Sequence, residues 1–452
     1  MTRVPSWAGR RLHFVGIGGA GMSGLALVAR ALGAAVSGSD RAESATLERL
    51  RAAGATVAAG HDAASVPPDA EVVYSTAIPE DNPERAVARE RGQAELHRAD
   101  LLAEITALRR CIAVTGTHGK TTTTSMVVHA LRGCGMDPGY LVGGEVRSTG
   151  SNAGWGAGEW VVVEADESDR SLLKLHPDVA VLTNAELDHH ATYASQAEVD
   201  ATFREFLARA TEAAVIWDRP ELLALADGGH EGGAAGAEAV PFDVPDPSLD
   251  ARGARFDWRG IAVQLRVPGA HNALNAAAAL EACRLAGADP AQAAQALADF
   301  QGAGRRFELL GTTATGAAVY DDYAHHPTEV AATIAAARTL GARRVVAVFQ
   351  PHLYSRTRAL ARDFGRALAA ADLVVVLGVY EARERAEDFP GVSGLAIAEA
   401  AADAAAGREV LWLPGFDDAR PALEGLLRDG DLCLVLGAGN VVDLGRSLVR
   451  IA

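Results

Sequence analysis

The run Ile112, Ala113, Val114, Thr115, followed by Gly116-Thr117-His118-Gly119-Lys120-Thr121-Thr122, limits the possible folds of this chain more than any other. An apolar stretch of this kind reads as a buried strand. It breaks into a turn bounded by two glycines, and a helical pattern through Ser125, Val128 and Leu131 follows. Strand, glycine turn and helix together commit the region to a parallel sheet covered by helices. The same arrangement builds a phosphate-binding loop, because glycines admit backbone N–H groups to the phosphates and a helix N-terminus adds partial positive charge. Lys120 would reach the terminal phosphates, and the Thr121 hydroxyl would sit on Mg²⁺. The spacing departs from G-x-x-x-x-G-K-[ST], since only two residues separate Gly116 from Gly119. Of 42 Lys+Arg residues, only Lys120 and Lys174 are lysine. A lysine kept in so arginine-rich a chain points to a need for a compact charge on a flexible stem.

The pattern recurs on both sides. Leu12, His13, Phe14 and Val15 run into Gly16-Ile17-Gly18-Gly19-Ala20-Gly21, and strand-like stretches follow at residues 34–40 and 71–75. After the phosphate loop, residues 160–164 and 179–184 read as further buried strands with polar residues at their C-terminal ends, where open α/β sheets bind ligands. Beyond Arg305-Arg306, residues 317–320, 345–349, 373–377 and 432–436 supply a third set. Residues 226–260, rich in Gly, Ala, Pro and Asp, read as surface loops with a short hairpin. The fold class is α/β, with three α/β domains in series. At 452 residues and 49% hydrophobic content, the chain has enough apolar material for separate cores.

Charge and targeting signals narrow the function. The formal charge of −16 argues against general nucleic-acid or membrane-surface binding, so an anionic substrate needs local basic groups and metal ions. No long apolar span and no signal-like start are present, and a cytoplasmic location is expected. The four cysteines form no CxxC pair, which argues against a zinc or disulfide framework.

Several constellations carry chemistry. Gly16, Gly18 and Gly21 match the dinucleotide fingerprint, with Asp40 where an acidic ribose ligand would fall; a nucleotide or diphosphate ligand and plain helix–strand packing both fit. Glu164, Asp166, Glu167 and Asp169 follow one central strand, and Asp188, His189 and His190 follow the next; oxygen and imidazole groups converging beside the loop to hold Mg²⁺, and a solvated acidic surface with structural histidines, both fit. Asn272 and Asn275 open an Ala-rich helix, either capping it or reading a base edge. Residues 321–329 and 350–358 crowd titratable and cationic groups at strand ends of the third set.

Taken in order, GIGGAGMSG (residues 16–24), TGTHGKTTT (115–123), EADESD (164–169), Thr183-Asn184 followed by Asp188-His189, PGAHN (268–272), RRFE (305–308), DDYAHHPTE (321–329) and FQPHLYSRT (349–357) resemble the motifs of the Mur ligases across essentially the whole chain. The resemblance implies a Rossmann-like UDP-sugar domain over residues 1–107, a central P-loop ATPase domain over 108–305 and a Rossmann-like C-terminal domain over 306–452. It implies ATP-driven joining of L-alanine to UDP-N-acetylmuramate through an acyl phosphate, in peptidoglycan precursor synthesis, by a monomer or homodimer that uses Mg²⁺.

By the same resemblance, the UDP-sugar rests on Gly18, Gly19, Ala20, Gly21, Met22, Asp40, Ser75 and Thr76. ATP lies on Gly116, Thr117, His118, Gly119, Lys120, Thr121 and Thr122, with Asn272 and Asn275 at the adenine and Arg305 near the phosphates. Thr121, Glu164 and His189 hold the metal. Tyr323, His325, His352 and Arg356 bind the alanine or the muramyl carboxylate. Lys120, Glu164, His189, His325, His352 and Arg356 form the catalytic set. The chain departs from the family pattern at Ala191, where the family often has Asp, and at Leu353, where many members carry a basic residue. No lysine follows Lys174, so the carbamylated lysine of related ligases has no counterpart here. A ligase for preformed muramyl peptides, an NAD(P)-dependent oxidoreductase and a non-catalytic nucleotide-binding regulator are the rival readings.

Overall fold

A computed structural model describes residues 7–190, 192–226 and 237–449. The Ala191 departure, the chain start and residues 227–236 of the expected loop region lie outside the described residues. The chain packs as two compact units. One comprises the described residues of 1–186, 196–243 and 278–296, the other those of 187–195, 244–277 and 297–452.

The first unit holds two sheets. Strands β1 (Arg11–Val15), β2 (Ala35–Asp40), β3 (Thr56–Ala59), β4 (Glu71–Tyr74) and β5 (Glu95–His97) are all parallel, in the order β3-β2-β1-β4-β5. Leu12, Phe14 and Val15 of β1 are fully buried, as a central strand covered on both faces requires. The strand order reverses between β1 and β4, the crevice where such sheets take ligands. Both the glycine loop after β1 and Ser75-Thr76 after β4 open there.

The second sheet contains β6 (Arg110–Thr115), β7 (Gly139–Val146), β8 (Ser151–Trp155), β9 (Trp160–Glu164), β10 (Val179–Leu182), β11 (Ala213–Trp217) and β12 (Glu238–Phe242), in the order β12-β11-β10-β6-β9-β7-β8. Only β8 runs antiparallel to its neighbour. The central β6 pairs Val114 with Glu164 of β9 and Thr115 with Leu182 of β10. That register decides which side chains surround the loop leaving β6. The two sheets are tied together by Asn152, whose amide donates to the Ala20 carbonyl at 2.7 Å, and by Arg98, which pairs with Asp169 at 2.8 Å and Asp166 at 3.1 Å.

In the second unit, β13 (Ser248–Asp250), β14 (Gly253–Trp258) and β15 (Ile261–Leu265) form an antiparallel meander. A hairpin was expected in this region, and a third strand extends it to Leu265. Ala254, Phe256 and Trp258 are buried and Asp257 is exposed, so a period-two pattern lies inside a stretch whose composition reads as loop. Arg259 and Gly260 both take positive φ, the two-residue turn that suits the strand twist. Likewise β12, from the same region, joins the central sheet.

The last sheet runs β16 (Glu308–Thr312), β17 (Ala318–Asp322), β18 (Arg344–Phe349), β19 (Leu373–Val376), β20 (Glu409–Trp412) and β21 (Asp431–Leu436), in the order β16-β17-β21-β18-β19-β20, with β16 antiparallel. Alternate residues of β18 serve two cores. Val345, Ala347 and Phe349 pack with Ile334, Phe364 and Ile397, while Val346 and Val348 pack with Leu423 and Leu444. No helix among the described residues is long and apolar enough to cross a membrane.

Candidate active site

The glycine loop after β1 turns at Gly16, with φ 76°, into the helix Ala20–Ala31. Its geometry is set by Asp40 at the end of β2. One Asp40 oxygen accepts the Gly18 N–H at 2.8 Å and the other accepts the Arg41 N–H at 2.7 Å. A Cβ on Gly18 would lie 2.8 Å from the Asp40 carboxylate and 2.9 Å from Leu47, so a side chain here would have to push both aside and disturb the Asp40 contact with the loop. Gly19, Ala20 and Gly21 open the helix, and a Cβ on Gly21 would stand 3.4 Å from the Arg98 guanidinium. Met22 is buried. Thr76 donates its hydroxyl to Asp169 at 3.1 Å, while Ser75 closes the turn by accepting the Ile78 N–H.

The loop between β6 and the helix Lys120–Gly133 is held by the strand ends on both sides. Gly116 takes φ 131° and Gly119 φ 83°. From the end of β10, the Thr183 hydroxyl donates to the His118 carbonyl at 2.6 Å, and Asn184 brackets the same residue. The Asn184 side-chain oxygen accepts the His118 N–H at 2.9 Å, and its amide donates to the His118 carbonyl at 3.0 Å. The Thr117 N–H goes to the Asn184 carbonyl and its hydroxyl to Glu186. With the Thr117 and His118 N–H groups taken, the first turn of the helix, which carries Lys120, Thr121 and Thr122, has the N–H groups that a helix start leaves without an intrahelical acceptor.

On the other side, β9 ends in Glu164. Its carboxylate accepts the Thr121 hydroxyl at 3.1 Å and the Gly143 N–H at 2.7 Å. Lys120 curls over its own loop, donating to the Gly116 carbonyl at 2.7 Å, the Thr117 carbonyl at 3.0 Å and the Glu167 carboxylate at 3.0 Å. Burial disfavours the ammonium, but the Glu167, Asp166 and Glu164 carboxylates together outweigh it and hold Lys120 above its ordinary pKa.

The second unit gathers most of the remaining candidates. Arg356, in the helix Tyr354–Leu368, grips Asp188 with both ends of its fork, Nε to Oδ1 at 2.9 Å and Nη2 to Oδ2 at 3.0 Å. Both side chains are buried, at 4% and 3% exposure. Burial opposes the Asp188 charge, yet Arg356, with His189, His325 and His326 behind it, holds the carboxyl far below the usual carboxylate range. His189 follows Asp188 with φ 52°. The third Arg356 nitrogen lies 3.2 Å from His352 Nδ1. Burial, then the neighbouring His325, Arg356 and Arg383, push the His352 pKa down to about 3. His352 is therefore neutral, with Nδ1 accepting from arginine and the proton on Nε2. Its ring stacks on Tyr380 at 5.9 Å and meets His325 edge-on at 5.9 Å; His325 in turn meets Tyr323 at 5.3 Å.

Arg305 lies over the Tyr323 ring at 5.1 Å, and its fork is committed to Asp321 at 2.9 Å and the Gly437 carbonyl at 2.8 Å. His325 and His326 precede the helix Pro327–Arg338, where proline at the first position and Glu329 closing a capping box set the start. Asn272 and Asn275 sit one turn apart inside the helix Ala270–Leu285. Asn272 donates to the Pro268 carbonyl at 2.7 Å and Asn275 donates to Asn272 at 3.3 Å. The capping alternative is thereby corrected: the helix starts at Ala270, so both amides lie past the cap position.

Three family models match in succession: the Mur ligase family catalytic domain at residues 11–110, the Mur ligase middle domain at 114–283, and the Mur ligase glutamate ligase domain at 305–439. The UDP-N-acetylmuramate–L-alanine ligase of a Mycobacterium species (strain JLS) is 46% identical over 97% of this chain and 94% of its own. That of Streptomyces avermitilis is 46% identical over 96% of both. This chain is a Mur ligase family member. Among solved structures, the UDP-N-acetylmuramate–alanine ligase of Thermotoga maritima superposes with a TM-score of 0.79 at 29% identity, covering 97% of this chain and 98% of that one. A murein peptide ligase of Psychrobacter arcticus shares the fold, with a TM-score of 0.70 at 24% identity over 98% and 100% of the two chains.

Sequence reasoning placed the Mur ligase loop, its strand-end carboxylates and the His/Arg cluster, but missed the partners that hold them. Asn184 was only a strand end, Glu167 one of several acids, and Asp188 a neighbour of His189. The Thr-Asn pair closing β10 was the available signal for Asn184, because a side-chain amide at the end of a strand beside a phosphate loop can bracket a peptide. Leu353 is 5% exposed with φ 71°, its N–H donating to the Tyr380 carbonyl, so this departure places a buried apolar side chain just ahead of the helix that carries Arg356.

Proposed function

We propose that this Mur ligase joins L-alanine to UDP-N-acetylmuramate at the expense of ATP, giving UDP-N-acetylmuramoyl-L-alanine, ADP and phosphate for peptidoglycan precursor synthesis. The observation that carries the choice of substrate is the 46% identity, over nearly the full length, to ligases of that name. The chemistry follows from the parts. The muramyl carboxylate attacks the γ-phosphorus, the bond to the ADP oxygen breaks, and an acyl phosphate results. The alanine amine then adds to the acyl carbon, and phosphate leaves from a tetrahedral intermediate. Such transfer asks for positioning and charge neutralisation more than covalent help from the protein.

In this reading, the first turn after Gly119 holds the ATP phosphates on backbone N–H groups, and Lys120 carries the charge to the transferring group. Residues 1–107 hold the UDP-sugar, with the diphosphate on the N-terminal turn of the helix Ala20–Ala31. Tyr323, His325, His352 and Arg356 receive the alanine or the muramyl carboxylate; a neutral His352 adds an N–H donor without another positive charge. Asn272 and Asn275, with their amides in one buried row, contact adenine, and Arg305 lies toward the phosphates.

Mg²⁺ fits the Thr121–Glu164 pair, a hydroxyl and a carboxylate side by side, which are the hard oxygen donors it prefers; His189 is the third ligand by family correspondence. When bound, the ion neutralises charge on the transferring phosphate oxygens. ADP release measured with UDP-N-acetylmuramate, with and without L-alanine, tests the proposal. Turnover that requires both substrates supports it. Turnover on a preformed peptide in place of alanine moves the protein to the peptide-ligase branch, and no nucleotide turnover on either refutes it.

A further inference from the structure

Lys120 and Glu167 form an ion pair that phosphate binding by itself does not call for. The ammonium has three protons and three close acceptors: the Gly116 carbonyl, the Thr117 carbonyl and the Glu167 carboxylate. In that state it has no proton left for a terminal phosphate, so one acceptor must be released when nucleotide arrives. Two of the three are carbonyls of the loop that carries the lysine. Glu167 alone belongs to a separate element, the turn after β9, and its side chain is 3% exposed.

That turn is fixed from several directions. Asp166 accepts the Ser168 N–H at 2.9 Å, Asp169 accepts the Ser171 N–H at 3.0 Å, and the Glu167 carbonyl accepts the Arg170 N–H at 3.0 Å. Arg98 and Thr76, from the strand ends of the first sheet, hold Asp166 and Asp169. Glu167 is therefore presented to Lys120 by a rigid support and does not reach it by chance of rotamer.

We propose that Glu167 is a positioning residue: it holds Lys120 in the loop as a counter-ion, and the terminal phosphate of the nucleotide takes its place on binding. This rests on the phosphate-loop reading of residues 112–122. One charged hydrogen bond is exchanged for another, so nucleotide affinity stays below what the loop would give unopposed. In return, the lysine remains charged and in place when no nucleotide is bound.

The test is calorimetric binding of an unreactive ATP analogue to the full chain, with melting temperatures to confirm folding. Glu167→Gln keeps the shape and an acceptor but removes the charge. It is expected to bind about fivefold tighter, the gap between a charged and a neutral hydrogen bond. Glu186→Gln removes one charge from the other side of the loop without touching Lys120 and is expected to stay within about twofold of wild type. Unchanged or weaker binding by Glu167→Gln overturns the proposal, and so does an equal gain in Glu186→Gln, which would assign the effect to the overall field. If Glu167→Gln does not fold, Glu167→Asp draws the carboxylate back by one methylene and is expected to shift affinity in the same direction. Wild-type affinity in Lys120→Ala would instead defeat the phosphate-loop reading itself.

Discussion

Gly116→Ala is the sharpest perturbation of the nucleotide loop, because two independent costs fall on one methyl group. At φ 131° an alanine backbone is strained by about 1–3 kcal/mol. The new Cβ would also lie 2.2 Å from Thr183 Oγ1 and about 3 Å from the Asn184 backbone at 2.9 and 3.0 Å. Thr183 can yield only by giving up its one donated hydrogen bond, held at 2.6 Å by the His118 carbonyl with the Thr115 carbonyl as the weaker second acceptor at 3.2 Å, at about 1 kcal/mol. Together these come to about 2–4 kcal/mol, confined to the loop at the C-terminal ends of the strands. If the bound loop must keep its present shape, nucleotide affinity should fall by about one and a half to three orders of magnitude. The sheet should survive, because β6 and β10 pair below the clash. Calorimetry with an unreactive ATP analogue measures the loss, and UDP-N-acetylmuramate affinity serves as the internal standard. Gly135→Ala is the control: φ 74° with nothing within 4 Å of the added methyl carries the strain without the clash, and is expected to lower stability while leaving nucleotide affinity alone. Nucleotide affinity within about threefold of wild type in Gly116→Ala would refute the reasoning.

In the first sheet, Gly18→Ala should weaken UDP-N-acetylmuramate binding by about tenfold or more, whereas Gly19→Ala, whose added methyl would meet nothing nearer than 3.5 Å, should stay within about threefold by titration. Arg356→Ala should abolish ligation without altering nucleotide affinity, and should lower the melting temperature, because Asp188 is left as a buried charge at a cost of about 3–5 kcal/mol. Adding Asp188→Leu should restore much of the melting temperature and none of the activity. His352 and His271 fold with pKa values lowered by burial to about 3 and about 4. Their neutral forms contribute stability that is complete above 6.5 and is lost as pH falls toward those values. Melting temperatures from pH 7 to about 4 should therefore decline, and less so in His271→Gln.

The parallel sheets were legible because strands buried on both faces leave continuous apolar runs. Residues 160–164 and their neighbours needed no tertiary information, and β9 falls on them residue for residue. Glycine turns marked the ends of β1 and β6, where Gly16 and Gly116 adopt positive φ. The meander β13–β15 was harder, since its period-two pattern is short and sits among loop-forming residues. The asparagines illustrate a different limit. Asn272 lies three residues past the position before Ala270, so a small shift in where the helix starts decides between a cap and an interior amide. What remained unread is the set of partners. Lys120 meets Glu167 across 47 residues, Arg98 meets Asp169 across 71, and Arg356 meets Asp188 across 168. No local period reports a contact of that kind.

Those partnerships also answer how a chain of charge −16 takes anionic substrates. An open basic patch is one solution, and nucleotide affinity would then fall steeply with salt, because exposed charges are screened within about 8–10 Å at moderate ionic strength. Here Lys120, Arg98 and Arg356 each already carry a carboxylate at 3.1 Å or less and are mostly buried. In the proposed reading, an incoming phosphate or carboxylate meets cations that are already paired, backbone N–H groups at helix starts and a metal ion. Exchange of one buried anion for another involves little net change in exposed charge. Affinity for the ATP analogue should accordingly change by no more than about threefold between roughly 50 and 300 mM salt at constant Mg²⁺. A loss of tenfold or more over that range would mean that exposed cations dominate binding, and the pairing of Lys120 would then be incidental to nucleotide recognition.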